Sequence, residues 1–201
     1  MPIRRTPHDY FALGLDLLQT EGFPALTAAG LCDRMGVTRG SFYHHFASFE
    51  DFVDRLMGYW EERYTTDLVA MVEALEGEQA QRQLQLRFAQ LLPHGAEAAF
   101  RVWAGVNERV AAGLRRVDEH RRTSTADFLR RHGLSADEAD VYADLSLASL
   151  VGLQMLDRPA DLERLDRVLS EIQRQIEQTR DGSSDNRAPT EATARTRLRH
   201  P

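Results

Sequence analysis

The sequence contains a single cysteine, Cys32, and no apolar run near the ~20 residues that a membrane-spanning helix needs. One cysteine forms neither a disulfide within the chain nor a zinc site by itself. No apolar stretch follows the basic N-terminal residues, so we expect no secretion signal, a cytoplasmic protein and no membrane partner. The 201 residues carry a formal net charge of −6, which excludes a generally basic nucleic-acid coat. Any contact with DNA must therefore come from a local site.

Enzyme motifs are also missing from the sequence. It has no glycine-rich loop for phosphate and no His-Glu-x-x-His pattern. His44 and His45 are adjacent and point about 100° apart on a helix, so they cannot hold a metal ion together. We therefore expect no enzyme activity, no cofactor and no metal site, and we interpret Cys32 as a small buried apolar residue.

Apolar residues recur with a helical period along most of the chain, and strand-like alternation is missing. The sequence therefore predicts an all-α protein. Thr6 and Pro7 begin the first helix, and Gly22 ends it. Later helices are expected over about 48–75, 78–92, 95–104, 106–132, 135–156 and 160–178. Residues 179–201 are polar with a basic end, which predicts a disordered tail.

The segment 27–46 carries the most informative pattern. Two short helices, about 27–34 and 38–45, are separated by Gly36, and this arrangement predicts a helix-turn-helix whose second helix enters the DNA major groove. The apolar residues that hold the two helices together are Leu31, Met35, Val37, Phe42 and Phe46. The residues left to contact DNA are Thr38, Arg39, Gly40, Ser41, Tyr43, His44 and His45. A small helical subdomain with solvated polar side chains gives the same pattern.

Arg39 and Gly40 show the chemistry expected of such a helix. An arginine makes the bidentate contact to guanine that is the commonest specific base contact. Gly40 has no side chain, so the backbone can approach the bases closely. Thr38 begins the helix as its N-cap.

The run GVTRGSFYHHF over 36–46, the segment LLQTEGF over 17–23 and Thr27 at the start of the second helix resemble the signature of the tetracycline-repressor (TetR) family. The resemblance covers about residues 6–60. It implies DNA contacts for Thr27 as well as for 38–41 and 43–45. Phe49 stands where the family often has a lysine near the DNA backbone, and Arg4 and Arg5 are candidates to replace that phosphate contact.

The last two predicted helices carry apolar and small residues at helical spacing. Leu162 and the residues at 165, 169, 172 and 176 form a short heptad stripe. The resemblance implies that these helices pair with their copies in a second subunit, which predicts a homodimer and a palindromic DNA operator. The candidate interface residues are Tyr142, Leu145, Ser149, Gly152, Leu165, Leu169, Ile172 and Ile176. Packing inside one chain explains the same stripe.

Residues 78–132 are expected to form a helical ligand-binding region. The candidate contacts for a small-molecule effector are Phe88, Phe100, Arg101, Trp103 and Asn107. The sequence does not indicate the class of the effector. By analogy, a bound ligand would tilt the long helix that begins at Ser48 and change the separation of the two DNA-binding units.

These expectations divide the chain into three parts. A helix-turn-helix DNA-binding domain spans 1–47, an effector-binding and dimerisation domain spans 48–178 and begins with a connecting helix over 48–75, and the tail spans 179–201. The predicted function is a ligand-responsive repressor that binds double-stranded DNA as a homodimer. The alternatives are an activator of the same fold, or a helical ligand- or partner-binding dimer that has lost DNA binding.

Overall fold

The computed structural model describes residues 5–156 and 160–185, the last four by their backbone alone. These residues form helices and contain no strand, so the predicted all-α class is confirmed. The helices are α1 (Pro7–Thr20), α2 (Ala28–Met35), α3 (Arg39–His45), α4 (Phe49–Glu61), α5 (Asp67–Glu73), α6 (Glu78–Leu91), α7 (His94–Ala104), α8 (Glu108–Arg131), α9 (Ala136–Leu156) and α10 (Leu162–Asp185). Arg4 and most of the predicted tail, 186–201, lie outside the described residues.

Side-chain caps determine where the first four helices begin. In each case a hydroxyl accepts a hydrogen bond from the backbone N–H three residues later; the capping residues are Thr6, Thr27, Thr38 and Ser48. Such a cap is worth about 1 kcal/mol. Gly36 adopts a left-handed conformation with φ of 64°, which favours glycine and forms the turn between α2 and α3. The helix-turn-helix is therefore specified by local interactions.

The connecting segment is not one regular α-helix. α4 passes into a π-helical turn over Glu62–Thr66, and α5 then continues to Glu73. A π turn is a local insertion in the helix and is frequent at functional sites. Here the Tyr64 carbonyl within the turn accepts a hydrogen bond of 3.1 Å from Arg121 Nη2. The apolar spacing over 48–75 did not predict this interruption, because the segment remains helical on both sides of it.

The last helix is longer than predicted. α10 ends at Asp185 instead of about 178, so residues 179–185 are helical and do not belong to a tail. The Thr179 side chain lies 2.7 Å from the Tyr142 hydroxyl, and Arg180 pairs with Glu78. These contacts extend the helix through a polar segment whose composition predicted disorder.

The main apolar core crosses the predicted domain boundary. α1 packs against α7 and α4 packs against α8, so the helix-turn-helix shares its core with the following helices. The contact between α4 and α8 is very close at Gly113, where a Cβ atom would lie 2.6 Å from Met57 Cε. The Phe23 and Trp103 rings also stack, with centroids 6.0 Å apart. The division at 47/48 stays a prediction about function within a continuous packed structure.

Helices α5, α6, α8, α9 and α10 line a cavity that is partly open to solvent. Two smaller apolar clusters lie beside it, one where α8 meets α9 and one where α9 meets α10. No helix within 5–156 or 160–185 has the length and apolar character to cross a membrane.

Candidate nucleic-acid interface and internal cavity

An aromatic cluster holds α3 in place. The Phe42 and Phe46 ring centroids are 4.9 Å apart, and Phe46 lies 5.1 Å from Phe52 of α4. Tyr10 of α1 meets Phe42 edge-on at 5.7 Å. These four side chains are buried, so their packing positions α3 against two other helices. The opposite face of α3 is thereby directed to solvent.

Four of the predicted DNA contacts are freely accessible on that outer face. Arg39, Gly40 and His44 are exposed, and Tyr43 keeps 52% of its surface exposed. Within the described structure, Arg39 makes no hydrogen bond or ion pair. The seven residues of α3 include Arg39 and two histidines and no acidic residue. This face can therefore offer donors to base edges and phosphates without first breaking an internal pair.

The other four predicted contacts also support the helices themselves. The hydroxyls of Thr27 and Thr38 accept hydrogen bonds from backbone N–H groups, of 3.0 and 3.3 Å. Ser41 Oγ lies 3.2 Å from the Tyr10 hydroxyl, and the His45 ring packs 5.7 Å from the Tyr10 ring. A capping threonine keeps its own O–H as a donor, so a phosphate contact remains chemically open to it.

Of the two arginines expected to compensate for Phe49, Arg4 lies outside the described residues and Arg5 already has a partner. Arg5 Nη2 donates a long 3.5 Å hydrogen bond to the Met35 carbonyl at the end of α2. Arg34 is paired with Glu21 at 2.5 Å. Phe49 itself stacks on Phe52, with ring centroids 5.7 Å apart.

Arg55 is a basic residue that the sequence interpretation missed. Its guanidinium lies 4.9 Å from the Phe46 ring centroid and donates a 2.8 Å hydrogen bond to the His45 carbonyl at the end of α3. The side chain is exposed beside the recognition helix. No motif marks Arg55, because its position depends on how α4 packs against α3.

Cys32 is buried, as interpreted from the sequence. Its Sγ lies 3.6 Å from the Thr38 carbonyl oxygen. Burial and the neighbouring Asp33 carboxylate raise the pKa of the thiol, and Arg39 only partly opposes this. Cys32 is therefore a protonated side chain of the core.

The internal cavity has a volume of about 230 Å³ and a mainly apolar wall. Its lining includes side chains from five helices, among them Leu68, Leu86, Phe88, Phe128, Leu150 and Ile172. The volume is below the ~300–1,000 Å³ of sites for drug-sized ligands. Phe88 lies on the cavity wall, and its predicted contact with a ligand stays a prediction.

The two other aromatic candidates lie outside the cavity. Phe100 is fully buried, with its ring centroid 5.0 Å from that of Trp60. Trp103 stacks on Phe23 in the contact between α7 and the helix-turn-helix. Both side chains belong to α7, which packs on α1, and periodicity alone does not reveal which neighbour an apolar face meets.

The two polar candidates have structural partners instead. Arg101 forms two hydrogen bonds with Asp118, of 2.9 and 2.8 Å. The Asn107 side chain caps α8 by accepting from the N–H groups of Arg109 and Val110. Arg101 and Asn107 therefore stabilise helix contacts and do not line the cavity.

A buried ion pair borders the cavity. Arg121 donates to both carboxylate oxygens of Glu97, at 2.8 and 3.1 Å, and Nε donates to the Thr65 hydroxyl at 3.0 Å. Glu97 is fully buried, whereas Arg121 and Thr65 lie on the cavity wall. Burial alone would raise the pKa of Glu97, but the charge and hydrogen bonds of Arg121 outweigh it and lower that pKa. The pair is therefore ionised and links α7, α8 and the π turn.

The network continues to His94. Gln154 Nε2 donates to Glu97 at 2.8 Å and lies 3.1 Å from His94 Nδ1. The other ring nitrogen, Nε2, is buried and has no hydrogen-bond partner in the described structure. Burial lowers the pKa of His94, although the Glu97 carboxylate opposes this effect. The imidazole is therefore held neutral.

We expect the free energy of unfolding to fall as the pH drops below the ordinary histidine pKa of 6.5, because unfolded His94 then binds a proton that the folded side chain resists. One such group contributes a slope of at most about 1.4 kcal/mol per pH unit. Urea unfolding of the wild type and His94→Asn at pH 7.5 and 5.5 measures this contribution. His8→Asn, at an exposed position, is the matched control. An equal loss of stability in wild type and His94→Asn would contradict the prediction.

Most of the apolar stripe of α10 packs against the chain's own core, and the predicted dimer interface stays a prediction. Leu165 and Ile172 are 1% and 8% exposed in the single chain, and Leu169 and Ile176 pack against the same clusters. Leu162, at the start of the stripe, keeps 44% of its surface exposed, and Leu169 and Ile176 are half-buried. Heptad spacing shows that one face of a helix is apolar but does not show which surface covers it.

The candidates on α9 are placed differently. Tyr142 is part-buried, and its hydroxyl forms a hydrogen bond with the Thr179 hydroxyl. Leu145 remains 44% exposed, Ser149 is half-buried, and open space surrounds Gly152. α9 therefore presents an outward apolar surface, whereas the stripe of α10 is mostly covered within the chain.

The described residues thus show a helix-turn-helix with an accessible second helix, joined to helices that line a cavity. This combination defines the class of DNA-binding regulatory proteins with a helical C-terminal domain. Residues 12–56 match the model of the family described as bacterial regulatory proteins, tetR family. The resemblance to the TetR family recognised in the sequence is therefore confirmed over this segment.

Solved structures share the fold over more than four fifths of the chain. A transcriptional regulator from Rhodococcus sp. Rha1 has a TM-score of 0.72 at 20% identity, covering 89% of this chain and 97% of that one. A TetR transcriptional regulator from Legionella pneumophila has a TM-score of 0.75 at 16% identity, covering 87% and 99%. A protein from Saccharomonospora viridis, solved in complex with choline, has a TM-score of 0.69 at 12% identity, covering 82% and 93%. No curated protein matches the sequence significantly.

Proposed function

We propose that the protein is a transcriptional repressor that binds a palindromic operator as a homodimer and releases it when a small molecule occupies the cavity. The observation that carries this proposal is the outer face of α3, where Arg39 is exposed without an internal partner. In the proposed complex Arg39 contacts a guanine in the major groove. Tyr43, His44 and the capping threonines bind phosphates and determine the register on the duplex.

The proposed dimer uses the outward face of α9. Val141, Leu145 and Met155 keep 63%, 44% and 40% of their surface exposed, and the space at Gly152 lets another helix approach. Exposed apolar side chains in one row on a helix favour burial against a partner. A two-fold axis through this face would give two copies of α3 and hence a palindromic DNA site.

We expect Leu145→Glu to convert the protein to a monomer, since it would place a carboxylate without a counter-charge in the dimer contact. Analytical ultracentrifugation at micromolar concentration measures the change in mass. Val106→Glu is the matched control, because Val106 is 76% exposed and lies in the turn between α7 and α8, outside α9. A dimer that tolerates Leu145→Glu, or that Val106→Glu disrupts equally, would rule out this interface.

The coupling between cavity and DNA is proposed to pass through the π turn. Arg121 lines the cavity and holds the Tyr64 carbonyl and the Thr65 hydroxyl of that turn. The turn continues α4, whose Phe52 packs on Phe46 at the end of α3. A ligand that favours one position of α8 against the turn would therefore change the position of α4 and α3. The ligand can shift the equilibrium between the two positions only by the difference between its binding free energies for them.

The test is selection of bound sequences from a random DNA pool with the full-length protein at moderate salt. We expect enrichment of one palindromic motif, with half-sites about 34–36 Å apart or slightly more. No enrichment would overturn the proposal and favour a helical ligand- or partner-binding dimer. A reporter gene behind the selected motif then distinguishes repression from activation, since the sign of regulation depends on where the operator lies.

A further inference from the structure

We infer that the cavity binds an uncharged, largely apolar small molecule that carries one or more hydrogen-bonding groups. This inference rests on the proposed ligand response and adds the chemical class of the ligand. It follows from the partners of the polar side chains on the cavity wall.

The charged side chains that the structure places on the wall are already paired within the protein. They are Glu73, Arg82, Arg121 and Arg131. Arg121 uses four of its five N–H groups, on Glu97, Thr65 and the Tyr64 carbonyl. Its charge is neutralised and most of its donors are occupied, so it is poorly suited to receive an anionic ligand.

The other charged residues of the wall are also paired, and Arg82 is largely buried, with 13% of its side chain exposed. Arg82 pairs with Glu78 and, at 2.6 Å, with Glu177. Arg131 pairs with Glu73 at 3.6 Å, and both side chains are about half exposed. An ionic ligand buried among the apolar residues would therefore lack a counter-charge, and an unpaired buried charge is strongly unfavourable. A cavity of this kind excludes cations as well as anions, unlike the site in the choline complex of the Saccharomonospora viridis protein.

Uncharged polar groups on the wall are still available to a ligand. Gln85 of α6, Ser124 and Thr125 of α8, and Gln173 of α10 line the cavity and make no side-chain hydrogen bond within the described structure. They offer amide and hydroxyl groups from three helices. A hydroxyl or carbonyl group on a ligand could pair with them, while its hydrocarbon part would contact Leu68, Leu86 and Phe128.

The experiment compares three eight-carbon probes of different charge: octan-1-ol, octanoate and octyltrimethylammonium. Isothermal titration calorimetry with the full-length protein should show octan-1-ol binding at least ~10-fold more tightly than either ion. Ala89→Phe fills the cavity and is expected to weaken octan-1-ol binding by ~10-fold or more. Ala74→Phe adds the same ring at an exposed position outside the cavity and should leave the affinity unchanged.

Three results would overturn the inference. The first is that octanoate or octyltrimethylammonium binds as tightly as octan-1-ol and that Ala89→Phe weakens this binding. That result would place a charged ligand in the cavity and leave the proposed function intact. No binding of any probe, or octan-1-ol binding that Ala89→Phe does not weaken, would reject the class and the site. If Ala89→Phe does not fold by circular dichroism, Ser124→Leu fills the same cavity from α8. The DNA selection is independent of these titrations, so failure of the proposed function would be recognised separately.

Discussion

Replacing Arg39 with alanine is expected to remove sequence-specific DNA binding and leave the fold unchanged. The side chain is exposed and makes no hydrogen bond or ion pair in the described structure, so its loss costs the folded protein little. One bidentate contact to guanine supplies about 1–3 kcal/mol of discrimination. Two copies in a dimer therefore give a loss of roughly 30-fold to 10⁴-fold in affinity for the selected operator. Fluorescence anisotropy at one salt concentration measures it.

Arg34→Ala is the matched control for Arg39→Ala. Arg34 is also an exposed arginine of the helix-turn-helix, but Glu21 pairs with it at 2.5 Å. We expect this variant to retain preference for the operator over a scrambled duplex. If Arg34→Ala loses as much specificity as Arg39→Ala, or if Arg39→Ala weakens binding to both duplexes equally, then Arg39 contributes only general attraction to phosphates.

The second large effect is expected for Glu97→Ala. Glu97 is fully buried, and its loss leaves the Arg121 guanidinium, which is 12% exposed, without a carboxylate partner. Removing one partner of a buried ion pair typically costs about 3–5 kcal/mol. For a chain of this size each kcal/mol lowers the Tm by about 2–4 °C, so a loss of roughly 6–20 °C is expected. Urea and thermal unfolding measure the change.

Two comparisons show whether the unpaired charge causes this loss. Glu108→Ala removes one partner of an exposed pair with Arg115, and we expect almost no change in stability. Glu97→Ala combined with Arg121→Met removes both charges and should recover part of the stability. A double variant less stable than Glu97→Ala would mean that Arg121 stabilises the fold through Thr65 and the π turn, independently of Glu97.

The features predicted correctly from the sequence depend on neighbours along the chain. The first four helices each begin at a threonine or serine whose hydroxyl accepts a hydrogen bond from the backbone N–H three residues later. The turn between α2 and α3 has a left-handed backbone at Gly36, and glycine adopts this conformation readily because it has no side chain. The alternation of aromatic and polar residues along α3 also predicted which side chains face outward, and Arg39, Tyr43 and His44 do so.

The features that the sequence did not predict depend on contacts between distant segments. Arg55 lies beside α3 because α4 packs against α3. The Tyr64 carbonyl in the π turn accepts a hydrogen bond from Arg121, which is 57 residues later in the sequence. The sequence also did not show which apolar side chains border the cavity. Phe88 lines it, whereas Phe100 packs against Trp60.

The sequence by itself therefore determined the helical class, the helix-turn-helix and the chemistry of its outer face, because caps, turns and periodicity act over a few residues. Only the tertiary structure decided where the cavity lies, that most of the α10 stripe packs on the chain's own core, and that α9 presents a row of exposed apolar side chains. An apolar helix face is equally favourable against a core, a ligand or a second subunit. The hydrophobic effect has no direction, so the packing of all the helices together selects among these partners.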